Sequence, residues 1–180
     1  RDALAGAAKL ALEIRDIAAR VGTGAVCTSG GVSCRPGIVT SVVETAEQLL
    51  DLRHLDAVSL AELLRQAREA SERFAAEERI DVSWERIWNI EPIPFDPSLI
   101  DLCEKACREV AGTSHRLPSG PLHDAAEVAR AGVPTVMMFV QSLRGLSHTK
   151  LEDTRDEHLG LAVAALDRLA DATIARISDR

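Results

Sequence analysis

The apolar positions of this chain change period along its length, and the changes mark its elements. Over residues 3–21, Leu10, Ile14, Ile17 and Val21 recur at helical spacing, and Gly22 is placed to end the helix. Residues 24–34 are rich in Gly, Thr, Ser and Val and read as a strand. Pro36-Gly37 marks a turn, and residues 38–53 read as a second strand or a bulged pair. Ser59 with Glu62 predicts a capping box, opening a helix with Leu60, Leu63, Leu64, Ala67, Ala70 and Phe74 on one face. Ile80, Val82, Trp84, Trp88 and Ile90 then alternate with mostly polar neighbours, the pattern of a half-buried strand. The order helix, two or three strands, helix, strand predicts an α+β sandwich over residues 1–91, with both helices on one face of an antiparallel sheet.

Glu91-Pro92-Ile93-Pro94-Phe95-Asp96-Pro97 is a stiff link, and the pattern beyond it is of another kind. Asp96 is placed to cap a helix with Pro97 at its first position, running to about Gly112. A loop over 113–122, a short helix from His123 to about Ala131, a buried strand over 135–140, a small-residue loop around His148 and a helix from Asp156 to Ile177 follow. This helix–strand–loop–helix grammar belongs to an α/β sheet, and it sets residues 92–180 apart as a second domain. No internal repeat or low-complexity stretch interrupts either part.

The 180 residues suit one large or two small domains, and a hydrophobic fraction of 46% is ample for a core. Aromatics are only 3%, so that core is built from Ala, Leu, Val and Ile. A net charge of −7 argues against nucleic acid or an anionic membrane as a partner. No segment reads as a signal peptide or a membrane span, and the expected location is cytoplasmic. The chain opens at Arg1-Asp2 without Met, so upstream residues are expected. Cys27, Cys34, Cys103 and Cys107 form no C-x-x-C; buried reduced thiols are favoured over a metal clamp from Cys103 and Cys107.

His148, shortly after the run Thr135-Val136-Met137-Met138-Phe139-Val140, is the residue with the clearest chemistry. Loops at the carboxyl ends of buried parallel strands carry the chemistry of open α/β sheets. A lone imidazole is no metal site, because catalytic zinc takes about three protein ligands, so further groups must lie elsewhere. A triad from Ser147, His148 and Asp153 fails, since no G-x-S-x-G elbow is present. Bland roles compete at each position: a loop histidine for His148, a strand-end charge for Arg53, helix caps for His123 and Asp124, a turn for Ser119-Gly120, and core or interface for Trp84 and Trp88.

Leu117-Pro118-Ser119-Gly120-Pro121-Leu122-His123-Asp124-Ala125, then Val133-Pro134-Thr135-Val136-Met137-Met138-Phe139-Val140, then Gly145-Leu146-Ser147-His148, resembles the C-terminal signature of the N-carbamoyl-L-amino-acid hydrolase and allantoate amidohydrolase family. That family lies within the binuclear metallopeptidase and aminoacylase superfamily. Its pattern runs L-P-S-G-A-G-H-D-A, V-P-T-x-M-I-F-V-P-S and G-I-S-H. Arg1-Asp2-Ala3-Leu4 and Pro36-Gly37 through Leu50-Asp51-Leu52-Arg53 are similar to its inserted lid, or dimerisation, domain, so the resemblance spans the whole chain.

The resemblance implies a fold of lid sandwich (1–91) followed by the C-terminal part of an α/β metallohydrolase catalytic domain (92–180). It implies two divalent metal ions, zinc, manganese or cobalt, whose only ligand in this chain is His148. The other ligands and the general base would lie upstream, so no catalytic residue is assigned here and the chain alone is expected to be inactive. The implied chemistry is attack of a metal-activated water on a ureido or amide carbonyl of a small-molecule substrate. Arg53 falls on the lid position that grips the substrate carboxylate, and Thr40 falls where the family has Asn. His123 falls beside the substrate, and a homodimer through the lid is implied. Val43 stands for a usual Pro and Pro121-Leu122 for Ala-Gly, departures that point to a different substrate or a weakened site. N-carbamoyl-L-amino acids are the leading substrates. The alternatives are an aminoacylase or dipeptidase of the same superfamily and a non-catalytic dimerisation scaffold.

Overall fold

A computed structural model describes residues 1–178, which gather into two compact units, Arg1–Pro92 and the chain from Ile93 onward. In the first unit, helix α1 (Ala3–Val21) starts at Asp2, whose carboxylate accepts the N–H groups of Leu4 and Ala5. Strands β1 (Val26–Arg35) and β2 (Thr45–Arg53) form an antiparallel hairpin running from Val26↔Arg53 to Arg35↔Thr45, with a bulge between Ser29 and Gly31. Helix α2 (Ala57–Glu78) packs on α1.

Ile14, Ile17 and Leu63 are fully buried at the seam, joined by Leu10, Ala67 and Ala70. Cys27, Leu50 and Leu52 press onto that cluster from the hairpin, so both helices cover one face of the sheet. The small residues matter here: Ala67 and Ala70 let two helices approach closely, which suits a core poor in aromatics.

Three sequence expectations change in this unit. Asp56, not Ser59, caps α2: the Ser59 N–H and hydroxyl both donate to Asp56 Oδ1 at 2.8 Å. Glu62, freed from a capping box, instead receives Arg65 and Gln66. The second strand begins only at Thr45; residues 36–44 are a hairpin loop closed by a Glu44 N–H bond to Arg35 C=O at 2.9 Å, because Pro36-Gly37 turns the chain out of the ladder.

The third change concerns residues 80–90, which run extended without joining the sheet. Of the alternating side chains Ile80 and Trp84 are half-buried while Val82, Trp88 and Ile90 are exposed, and a strand also needs a partner strand. None pairs with this segment among the described residues, where Ile80 N–H bonds back to Ala75 C=O at the end of α2. Its side chains fasten it instead. Ile80 lies over Gly6, where an added Cβ would come within 2.7 Å of Ile80 Cδ1, and the Trp84 indole lies beneath the Arg68 guanidinium. Trp88 is exposed, so the two tryptophans do not share one buried face. Between this segment and β2 runs a groove of about 1310 Å³, floored by Ala7, Leu10, Leu60 and Leu64.

In the second unit, helix α3 (Pro97–Ala111) is capped by Asp96, which accepts the Leu99 N–H at 2.9 Å. It ends at Gly112, whose φ of 72° is the left-handed turn glycine accepts without strain. Helix α4 (Asp124–Arg130) is short, and helix α5 (Asp156–Ser178) packs along α3. Cys103, Ala106 and Leu169 are the buried centre, with Leu102, Cys107, Val136 and Met138 against it. All four cysteines are free, and burial pushes the Cys103 thiol up to about 11.

The expected buried strand over 135–140 is instead a single extended segment, half-buried at Thr135–Met138 and exposed at Phe139 and Val140. Among the described residues its backbone bond to another segment runs from Asp96 N–H to Thr135 C=O, at 3.0 Å. As at 80–90, the side chains suit a strand but no neighbouring strand pairs with them among the described residues.

Candidate functional site

The loop carrying His148 is built by short-range bonds. At its base the Leu143 N–H donates to Asp153 C=O at 2.7 Å, and a single 3₁₀ turn spans Leu143–Gly145. The Ser142 hydroxyl donates to Leu146 C=O at 2.5 Å. These bonds fold 142–153 back on itself and lift residues 147–149 to the apex.

His148 is exposed, and its φ of 57° lies in the left-handed region, which costs a non-glycine residue on the order of 1 kcal/mol. Its backbone N–H donates to Glu152 Oε2 at 2.8 Å, and its ring Nδ1 lies 2.7 Å from Ser147 Oγ. Nδ1 is thus engaged while Nε2 has no protein partner among the described residues, an arrangement that leaves Nε2 available to a metal. Among the described residues no group of three or more His, Cys, Asp and Glu side chains gathers to hold a metal. His148 therefore fits as one ligand of a set and does not make a site by itself.

His123 occupies the N-cap position of α4, its C=O accepting the Ala126 N–H at 2.9 Å, but its side chain makes no cap bond; Asp124 stands in the first turn. The His123 ring is half-buried and meets Phe139 edge to face, with centroids 6.3 Å apart. Arg116 ties the preceding loop to α3, donating to Asp101 Oδ1 at 2.7 Å and through Nε to Glu104 Oε2 at 2.9 Å. That pairing holds the Glu104 carboxyl below the usual carboxylate range.

In the first unit Arg53 ends β2, exposed, and its Nε donates to Asp51 Oδ2 at 2.6 Å. Thr40 sits exposed in the 36–44 loop. Sequence reasoning missed Glu152, Ser147 and Asp51 as partners of the candidate residues. Asp51 and Arg53 at i,i+2 on one strand share a face, so that pair was open to the strand period. The Glu152 contact depends on the turn at His148, which no periodicity signals.

These features leave an exposed imidazole at His148 and no complete metal site among the described residues. Residues 3–172 match peptidase family M20/M25/M40, metal-dependent hydrolases that are generally binuclear, and the chain belongs to that family. It is 30% identical over 166 residues to the N-carbamoyl-L-amino acid amidohydrolase of Geobacillus stearothermophilus, covering 92% of this chain and 40% of that protein. It is 28% identical to the allantoate amidohydrolase of Escherichia coli, again over 92% of this chain and 40% of the relative. Among solved structures, a hydantoinase/carbamoylase family amidase from Burkholderia multivorans superposes with a TM-score of 0.86 at 29% identity, over 94% of this chain and 41% of that one. The chain thus spans about 40% of the length of the curated relatives it matches.

Proposed function

We propose that this chain is the C-terminal portion of a longer metal-dependent amidohydrolase that cleaves a linear C–N amide or ureido bond, with N-carbamoyl-L-amino acids as the leading substrates. The observation that carries this reading is His148, an exposed imidazole with Nδ1 engaged by Ser147 and Nε2 open, in a chain similar nearly end to end to such enzymes. Two divalent ions, zinc, manganese or cobalt, would supply activation of water toward the carbonyl when bound. Residues 1–91 serve as the lid and dimerisation domain, and residues 92–180 complete the catalytic domain.

Within that frame each residue has a task. His148 Nε2 would hold one metal. Arg53 receives the substrate carboxylate on its planar fork, and Asp51 orients that fork from the same strand face. The Thr40 hydroxyl and His123 contact the remainder of the substrate. Thr40 also favours a second reading, an aminoacylase or dipeptidase, because one hydroxyl cannot match the donor and acceptor that an amide side chain offers a ureido group.

The test is His148→Ala in the complete enzyme, with metal content read by elemental analysis. The expected result is a fall by roughly half or more with turnover abolished, since losing one ligand loosens a shared site. Full metal occupancy and turnover in the variant would remove His148 from the site.

A further inference from the structure

We propose that Glu152 is a positioning residue for His148, holding the imidazole at the angle its Nε2 needs. The inference rests on the reading of His148 as a metal ligand. Glu152 grips the apex of the loop from both sides. Its carboxylate accepts the His148 N–H at 2.8 Å, and its own N–H donates to Thr149 C=O at 3.1 Å. The bonds from Ser142 to Leu146 and from Leu143 to Asp153 close its base, and the Leu151 N–H bond to Thr149 Oγ1 at 3.4 Å reaches the apex without touching His148.

The apex needs such a hold because His148 sits at φ 57°, a conformation that an L side chain leaves readily once nothing rewards it. A turn of that peptide swings the Cα–Cβ bond and carries the ring with it. Ser147 fixes the ring only relative to its own backbone neighbour, through Nδ1 at 2.7 Å, and so cannot set the direction of the whole unit. Glu152 can, because its carboxylate fixes the peptide N–H in space. An acceptor oxygen is what the geometry requires; negative charge is incidental to it. Glu152→Gln keeps an acceptor of nearly the same length, and Glu152→Met keeps the length and removes it.

The experiment measures zinc affinity of the complete enzyme by chelator competition, together with the visible spectrum of its cobalt-substituted form, for the parent, E152Q, E152M and H148A. Circular dichroism confirms that each variant folds. Expected are a Kd for zinc about tenfold to a hundredfold weaker in E152M, the range found when a group supporting a ligand is lost, with a changed cobalt spectrum and near-parent behaviour in E152Q. E152Q as weak as E152M would make charge the agent and overturn the proposal. Parent-like affinity and spectrum in E152M, with zinc lost in H148A, would overturn Glu152's role while leaving His148 in place. Zinc retained in H148A would instead overturn the reading of His148, and Glu152's role with it.

Discussion

The indole N–H of Trp84 donates to Ser71 Oγ at 2.9 Å, and Ser71, 4% exposed, is the buried polar side chain of the first unit. Ser71 passes the bond on, its hydroxyl donating to Arg68 C=O at 2.7 Å, while the Arg68 guanidinium lies 5.7 Å from the Trp84 ring centroid. This closed relay, together with Ile80, replaces the backbone ladder that residues 80–90 lack.

Removing the hydroxyl should therefore loosen the segment as well as weaken the unit. Ser71→Ala leaves the indole N–H without its acceptor, at a cost of about 1–3 kcal/mol. Urea unfolding reads the loss, and Trp84 emission, isolated by Trp88→Phe, should shift to the red. An unchanged midpoint and spectrum would mean the bond contributes nothing to either.

Glu62 gives a pH dependence of defined sign. The Arg65 guanidinium donates to both its oxygens, at 2.7 and 2.6 Å, Gln66 adds a bond at 2.7 Å, and together they hold the carboxyl down at about 2. A folded-state value below the ordinary 4.5 means the carboxylate adds stability that is present above about 4.5 and is lost as pH falls toward 2. The group is exposed, so the effect is small and screened by salt. Parent and Glu62→Gln should differ in stability at neutral pH and converge in acid. Carbon-13 titration of the Glu62 carboxyl reads the depressed value directly, and an ordinary carboxylate midpoint would dismiss the pairing.

Arg53→Lys in the complete enzyme keeps the charge and loses the bidentate fork. If Arg53 receives the substrate carboxylate, KM should rise on the order of tenfold with the acid substrate. An amidated substrate should then distinguish parent from variant little. Equal harm to acid and amide would assign Arg53 to holding Asp51 and the strand end.

The helices were legible because their cues are local. Leu10, Ile14 and Ile17 repeat at helical spacing and are buried, and Asp96-Pro97 starts α3 as its chemistry requires. The extended segments were half legible. Trp84 does turn inward as its alternation demands, yet whether 80–90 or 135–140 becomes a strand depends on distant backbone that no local pattern contains. Ser59 was misread because Asp56, three residues earlier, is an equally good cap and wins the N–H. At the candidate site the motif singles out His148, whereas the bond from its N–H to Glu152 depends on one positive φ that no local pattern signals.

The bulge in β1 has a consequence for how its residues count. Positions 27 and 34 differ by an odd number, which in an unbroken strand puts two side chains on opposite faces. Yet Cys27 pairs with Leu52, Cys34 pairs with Ala46, and both cysteines are half-buried, because the ladder steps from Ser29 to Gly31 and leaves Gly30 uncounted. The extra residue reverses the parity of the strand midway. Inward positions are odd before it and even after it, while β2 keeps even numbers inward at Ala46, Gln48 and Leu50. Gly30 thus sets the phase of the strand's second half: deleting it would turn Cys34 toward solvent, or slide the hairpin by one residue and turn β2 outward in its place.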